Sequence, residues 1–495
     1  MALQAAWYIA LVWLILSSIH AFLSTFHVTS LAYTSFLNRN GLSVSPGHFR
    51  IYWSGCGTWV HRLATIPGLR TWFNAGSVVS AILLIASLPV LAVLLLQTFQ
   101  QPPEQAILKP VIPGVNVPWS QMVYVALTIF VCAVLHELGH AVAAVKEQVR
   151  VDGYGVFVFL IYPGAFVDLH EEHMAVISTL RRLRIYSAGV WHNFVLAALG
   201  GALVVCMPTL MSPLFATGQG AVVVNVKQES ALYGALPVGT QITQISGCPI
   251  ESVPHFASCI RRIYSMDIGY CLRLDHVQKQ QRLQNHPIGS ESTQPPHDCC
   301  GPSQSDVCFA YESSQMHQGS VCLNARNVTA NRICRSARHC ISHNDDINQL
   351  PMVLGSLPFV CAKPQLDPTS RLLRIQHSLG EDVMFEGNPY LVFYQVHATN
   401  YSPRWRWASS LRYLPVFLEF CGVYLMSISS ALCFLNVVPV YYLDGHWVLI
   451  TLIEHFLPAY VPSQRARNKF AHAVLTIGTI LLSANVLVAL VGVLR

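Results

Sequence analysis

Apolar residues in this chain fall in long unbroken runs, not in the short alternations of a soluble domain. Six runs are long enough, at about 1.5 Å of helix per residue, to cross a hydrocarbon core about 30 Å thick. They cover residues 5–24, 76–98, 122–145, 185–213, 411–440 and 471–494. A seventh run, 445–457, is too short to cross and is expected to form a partial or re-entrant helix. Residues 154–169 (YGVFVFLIYPGAFVDL) are apolar too, but their β-branched and aromatic content, broken at Pro163-Gly164, favours a hairpin or bent insertion. The first run has no basic segment before it and reads as a retained span, not a cleaved leader. The pattern predicts a polytopic α-helical membrane protein, with residues 214–410 forming a large hydrophilic region outside the bilayer.

Composition agrees. The 495 residues are 53% hydrophobic and 11% charged, against about 25% charged in soluble domains. The net charge of +6 is spread thinly and makes no basic stripe, so direct nucleic-acid binding is not expected. Arg39, Arg50, Arg62 and Arg70 lie in a loop, 26–75, that has no Asp or Glu. Lys146, Arg150, Arg181, Arg182 and Arg184 flank later spans. The preference of Lys and Arg for the cytosolic side places both groups there. The amino terminus and the region 214–410 are then lumenal.

Ten of the fifteen cysteines lie between Cys248 and Cys361. An even, dense set among Gly, Pro and Ser reads as disulfides in an oxidising compartment, although the pairing cannot be deduced from spacing. A zinc-binding cysteine cluster is the alternative, but no CxxC pair is present. Asn327-Val-Thr and Asn400-Tyr-Ser are glycosylation acceptors in the same region.

The third span carries the chemistry. It reads MVYVALTIFVCAVLHELGHAVAAV, without Lys, Arg or Asp. His136 and His140 are one helical turn apart on one face, the spacing that grips one Zn2+, and Glu137 is placed to act as general base. Ionisable groups are costly in lipid and mark functional sites there; the bland alternative is polar pairing between helices. A catalytic metal site needs a third protein ligand and one open position. Asp444, in NVVPVYYLDG (436–445), is the choice. Pro439 should end the long span, Asp444 should cap the short helix that follows, and the topology puts both at the depth of the histidines. Glu419, Glu454, His455 and the His170-Glu-Glu-His173 cluster are weaker candidates; Asp168 and His446 are possible neighbours. A membrane zinc transporter or sensor would use the same ligands, but would need a continuous polar path that no other span supplies. A zincin that trims lipidated proteins would need a Glu as third ligand.

HELGH in one span and NVVPVYYLDG closing a later one resemble the site-2 protease family of intramembrane zinc metalloproteases, nearest its animal members. GVWHNFVLA (189–197) resembles the family's GxxxN segment, and residues 150–169 and the long lumenal insertion also match its pattern. Residues 218–250 are similar to the family's PDZ-like domain, with Thr240 where an Asp is common. The Cys-rich stretch would interrupt that domain, with strands resuming near 372–376 and 390–398. The connector 99–119 lacks the serine-rich loop of some animal members.

The resemblance implies a polytopic fold with a lumenal PDZ-like β-rich domain carrying a Cys-rich insertion. Its divisions would be 1–98, an N-terminal membrane region; 99–217, the first half of the catalytic core; 218–400, the lumenal domain; and 401–495, the second half. It implies one Zn2+ on His136, His140 and Asp444, with Glu137 as catalytic base. Asn193 would donate to the oxyanion or to substrate, or else bond between helices. Substrates would be single-span membrane proteins, first cut on the lumenal side by another protease. Cleavage in the cytosolic half of Golgi or ER membranes would release a fragment, often a transcription factor of lipid or stress responses.

Overall fold

The computed structural model describes residues 2–494 except 27–29, 101–116, 118–120, 285–298, 301–305, 313–317 and 341–358. The expected connector 99–119 lies mostly outside the described residues. Contacts divide the chain into two compact units, Met1–Val205 with Leu418–Arg495, and Cys206–Phe417.

Six described helices are long and apolar enough to cross a membrane: Ala2–Thr25, Leu69–Gln100, Met122–Lys146, Thr179–Met211, Leu414–Val437 and Gln464–Leu494. Three begin about six or seven residues before their apolar runs, at Leu69, Thr179 and Gln464. Arg, Lys and Gln are good helix formers, so the polar turns TLRRLR and QRARNK continue the helix. An apolar run therefore marks the depth of lipid and not the end of the hydrogen-bonded ladder. The short apolar run is the helix Asp444–Phe456. Its Val448, Leu449 and Ile453 pack with Leu84, Leu183, Val190, Val437 and Leu475, so three longer helices and the end of a fourth surround it. With little hydrophobic drive between helices in lipid, close approach matters. A Cβ on Gly200 would lie 2.6 Å from the Met426 backbone nitrogen.

Residues 154–169 form an antiparallel hairpin of β3 (Val151–Phe159) and β4 (Tyr162–Leu169), completed by β1 (Leu42–Ser45) and β2 (His48–Ser54) into a sheet ordered β1-β2-β3-β4. The turn falls at Leu160-Ile161, where Leu160 takes φ 56°, and not at Pro163-Gly164 as the sequence suggested. Pro163 instead sits within β4, opposite Val158. That placement is tolerable because β4 is an edge strand, where a missing N–H breaks no ladder.

In the second unit, five antiparallel strands run in the spatial order Val383–Gly387, Arg371–His377, Gln241–Ile245, Ala221–Val226, Val396–Thr399. The helix Val253–Ser265 covers them with Phe256, Cys259, Ile260 and Ile263. Residues 390–395, expected to be strand, belong to the helix Pro389–Gln395. Asn388 accepts from the Tyr390 N–H and Pro389 opens the first turn, a start signal that overrides the β-prone composition. Another sheet, from residues between these strands, contains Gly269–Arg273, Asp306–Glu312, Gln318–Asn324, Ile333–Cys334 and Phe359–Pro364. The ten cysteines pair as Cys248–Cys259, Cys271–Cys340, Cys299–Cys308, Cys300–Cys322 and Cys334–Cys361. Cys271, Cys334 and Cys340 do converge as metal ligands would, yet each is held in a disulfide. Asn327 is exposed in the short helix Ala325–Thr329, whereas the Asn400 side-chain oxygen accepts from the Val253 N–H at 2.6 Å.

Candidate metal centre

His136 and His140 are buried on the helix Met122–Lys146, each 6% exposed. Pro439 follows the end of the helix Leu414–Val437, and the chain re-enters at Asp444. The N-cap of the short helix is Leu443, with no side-chain capping bond, so Asp444 does not cap as expected. Its carboxylate turns to the histidines instead. A Cβ on Gly445 would lie 2.2 Å from the Val438 oxygen, so only glycine lets this turn fold so closely on the end of the preceding helix. The three ligand atoms meet: Asp444 Oδ2 lies 3.0 Å from His136 Nε2 and 3.3 Å from His140 Nε2, and the two nitrogens are 3.2 Å apart. Tetrahedral zinc ligands at about 2.0–2.1 Å stand about 3.3–3.4 Å from one another. The triangle fits three corners of that tetrahedron.

Proton placement points the same way. The Ile185 carbonyl can only accept, so His140 Nδ1, 2.7 Å from it, carries the proton and leaves Nε2 a bare lone pair. His136 Nδ1 lies 3.0 Å from the Asn193 amide, whose Oδ1 is buried without a partner among the described residues. Turning the amide over lets Oδ1 accept from Nδ1–H and frees His136 Nε2 as well. Two lone pairs and a carboxylate then face one another, an arrangement that needs a cation. The space exists because residue 189 is glycine: a Cβ there would lie 2.3 Å from His140 Nε2 and 2.4 Å from His136 Nε2. His136, His140 and Asp444 could therefore hold a metal ion.

Glu137 is held from the other side. Its Oε2 accepts from the backbone N–H of Val167 on β4 at 3.0 Å. The hairpin thus lies along the HELGH helix, and β4, the last strand of its sheet among the described residues, turns its outer edge to the carboxylate.

The other candidates have other company. Glu454 pairs with Arg182 at 3.0 Å, His455 bonds Thr179, and His170 bonds Asp152 at 2.9 Å. Glu419 and Asp168 are exposed, and His446 stacks on Trp447. Asn193 is fully buried, with its amide 3.0 Å from His136 Nδ1.

Residues 124–385 match Peptidase family M50, more than half of the chain. The chain belongs to that family. It is a metalloprotease. The match takes in HELGH and GVWHN and stops short of Asp444, whose place in the site rests on the geometry above. The chain is also 25% identical over 433 residues to the membrane-bound transcription factor site-2 protease homolog of Arabidopsis thaliana, across 78% of this chain and 81% of the relative.

Sequence reasoning missed the Ile185 carbonyl and the Val167 N–H, because main-chain groups leave no residue signature. It also missed β1 and β2, although LSVSPGHFRIYW (42–53) carries a Pro-Gly turn between two strand-like segments.

Proposed function

We propose that this M50 protease is an intramembrane zinc metalloendopeptidase. It cleaves a transmembrane helix of single-span membrane proteins, transcription factor precursors among them, after a first lumenal cut, and it releases a cytosolic fragment. The observation that carries this reading is the convergence of His136, His140 and Asp444 beside Glu137, at helices long and apolar enough to lie in lipid. Zn2+ held there would polarise the scissile carbonyl and make a neighbouring water more acidic. Glu137 takes the proton from the attacking water and returns it to the leaving nitrogen. Asn193 and the Ile185 carbonyl keep both imidazoles in the liganding tautomer.

A helical substrate hides its peptide bonds, so the bond to be cut must first unwind. The outer edge of β4, the last strand of its sheet among the described residues, offers the released backbone a partner by strand addition. Val167 points its N–H away from β3, and the two-residue alternation puts Ala165 on the same edge. Val167→Pro removes that donor from Glu137 and from the edge; cleavage is expected to fall at least tenfold with zinc content unchanged. Wild-type turnover by Val167→Pro would remove β4 from the reaction.

The family resemblance supports Golgi or ER membranes, and arginine placement supports an active site in the cytosolic half of the bilayer with residues 214–410 in the lumen. There residues 218–400 form a PDZ-like domain carrying the disulfide-rich insertion, and Asn327 and Asn400 accept glycans. Catalytic halves at 99–217 and 401–495 flank it, after a membrane region at 1–98.

The test uses purified protein in lipid vesicles with a single-span substrate lacking its lumenal domain. One zinc per chain, cleavage lost to a chelator and restored by Zn2+, is the expected outcome. Zinc flux across the vesicle without cleavage would make the protein a transporter instead.

A further inference from the structure

We infer that Glu147 and Arg184 are a positioning pair that holds the Ile185 carbonyl, and through it the His140 imidazole, in ligand geometry. This rests on the metal site proposed above.

Glu147 ends the HELGH helix and is 2% exposed, yet it is an acid. Arg184 meets it with two parallel bonds, Nε to Oε1 at 2.8 Å and Nη2 to Oε2 at 3.0 Å. Arg181 approaches the same carboxylate at 3.5 Å, and the remaining Arg184 nitrogen, Nη1, donates to Asn74 on the helix Leu69–Gln100 at 3.2 Å. The Glu147–Arg184 pair therefore links three helices, the third through Arg184. Burying such a pair costs more desolvation than its attraction usually returns, so stability alone is a poor reason for it. Geometry gives a better one. Residue 185 follows Arg184 directly, and its carbonyl is the group that fixes the His140 tautomer at 2.7 Å. On the other helix, Glu147 stands seven residues beyond His140, two turns along the same face. The forked ion pair and the His140 hydrogen bond thus join the same two helices, two turns apart on one and at adjacent residues on the other. If the fork loosens, the carbonyl and the ring no longer share a fixed register.

Arg182 offers an internal comparison. It pairs with Glu454 at 3.0 Å, but there both side chains are partly exposed, at 24% and 43%. That pair touches no group bonded to a ligand histidine.

The test is Co2+ binding to the full-length purified protein, read by the visible absorption of the bound ion and by chelator competition. Arg184→Met is expected to weaken Co2+ binding about a hundredfold and to shift the absorption bands. Arg184→Lys should weaken it about tenfold, since it keeps the charge and loses the planar fork. Glu454→Gln should stay within twofold, and all variants should keep wild-type helical content. Folded Arg184 variants with the wild-type spectrum and affinity would overturn the inference and leave the pair a structural tie. Should Arg184→Met fail to fold, the Lys variant alone decides by the same criterion. A wild-type protein that binds no Co2+ or Zn2+ overturns the metal site itself, and the pair with it.

Discussion

Glu137→Gln is expected to lower the cleavage rate by about two to four orders of magnitude, the usual contribution of a positioned acid–base group. Zinc content should not change. The substitution keeps shape and removes only the ability to take a proton. Its amide can still accept from the Val167 N–H through oxygen, so the contact that holds residue 137 against β4 survives. The ligands His136, His140 and Asp444 are untouched, because none of the bonds among them involves Glu137. The measurement is turnover of a single-span substrate by metal-loaded wild type and variant in parallel. Equal turnover with equal zinc would remove Glu137 as the base and require another group beside the three ligands.

Gly189→Ala separates fold from site more sharply than any ligand substitution. Alanine is the best helix former, favoured over glycine by about 1 kcal/mol in a helix interior, so the helix Thr179–Met211 should not be weakened. The added methyl, however, falls 2.3–2.4 Å from both Nε2 atoms, where a bound ion and its ligands must lie. Neither ring can easily retreat, since His140 is bonded to Ile185 and His136 to Asn193. The expected result is a folded protein of unchanged helical content that loses detectable zinc and all cleavage. Wild-type zinc affinity in Gly189→Ala would mean that the ion does not sit among these three side chains.

Much of the site was legible because its chemistry is carried by side chains at helical spacing. His136, Glu137 and His140 declare themselves within five residues, and Pro439 with Gly445 marks the turn that presents Asp444. The helical core was legible for a similar reason: lipid imposes a length and an apolarity that few other structures need. The errors lie where local signals compete. Pro163-Gly164 looks like a turn, yet an edge strand can hold a proline, and the chain turned at Leu160 instead. Residues 390–395 look like strand, yet Asn388 and Pro389 start a helix. Asp444 looked like a cap, yet its carboxylate lies against His136 and His140 instead. The sheet partners of the hairpin come from residues about a hundred positions earlier, and no local pattern announces a pairing at that distance.

The three side chains of the proposed metal site are also far apart in the order of synthesis. His136 and His140 emerge early, whereas Asp444 follows about three hundred residues later, after the whole disulfide-bonded unit. A nascent chain therefore holds two imidazoles and a base but no completed metal site for most of its translation. On the proposed site, proteolytic competence waits for Asp444, so a chain stopped before that residue has no complete site.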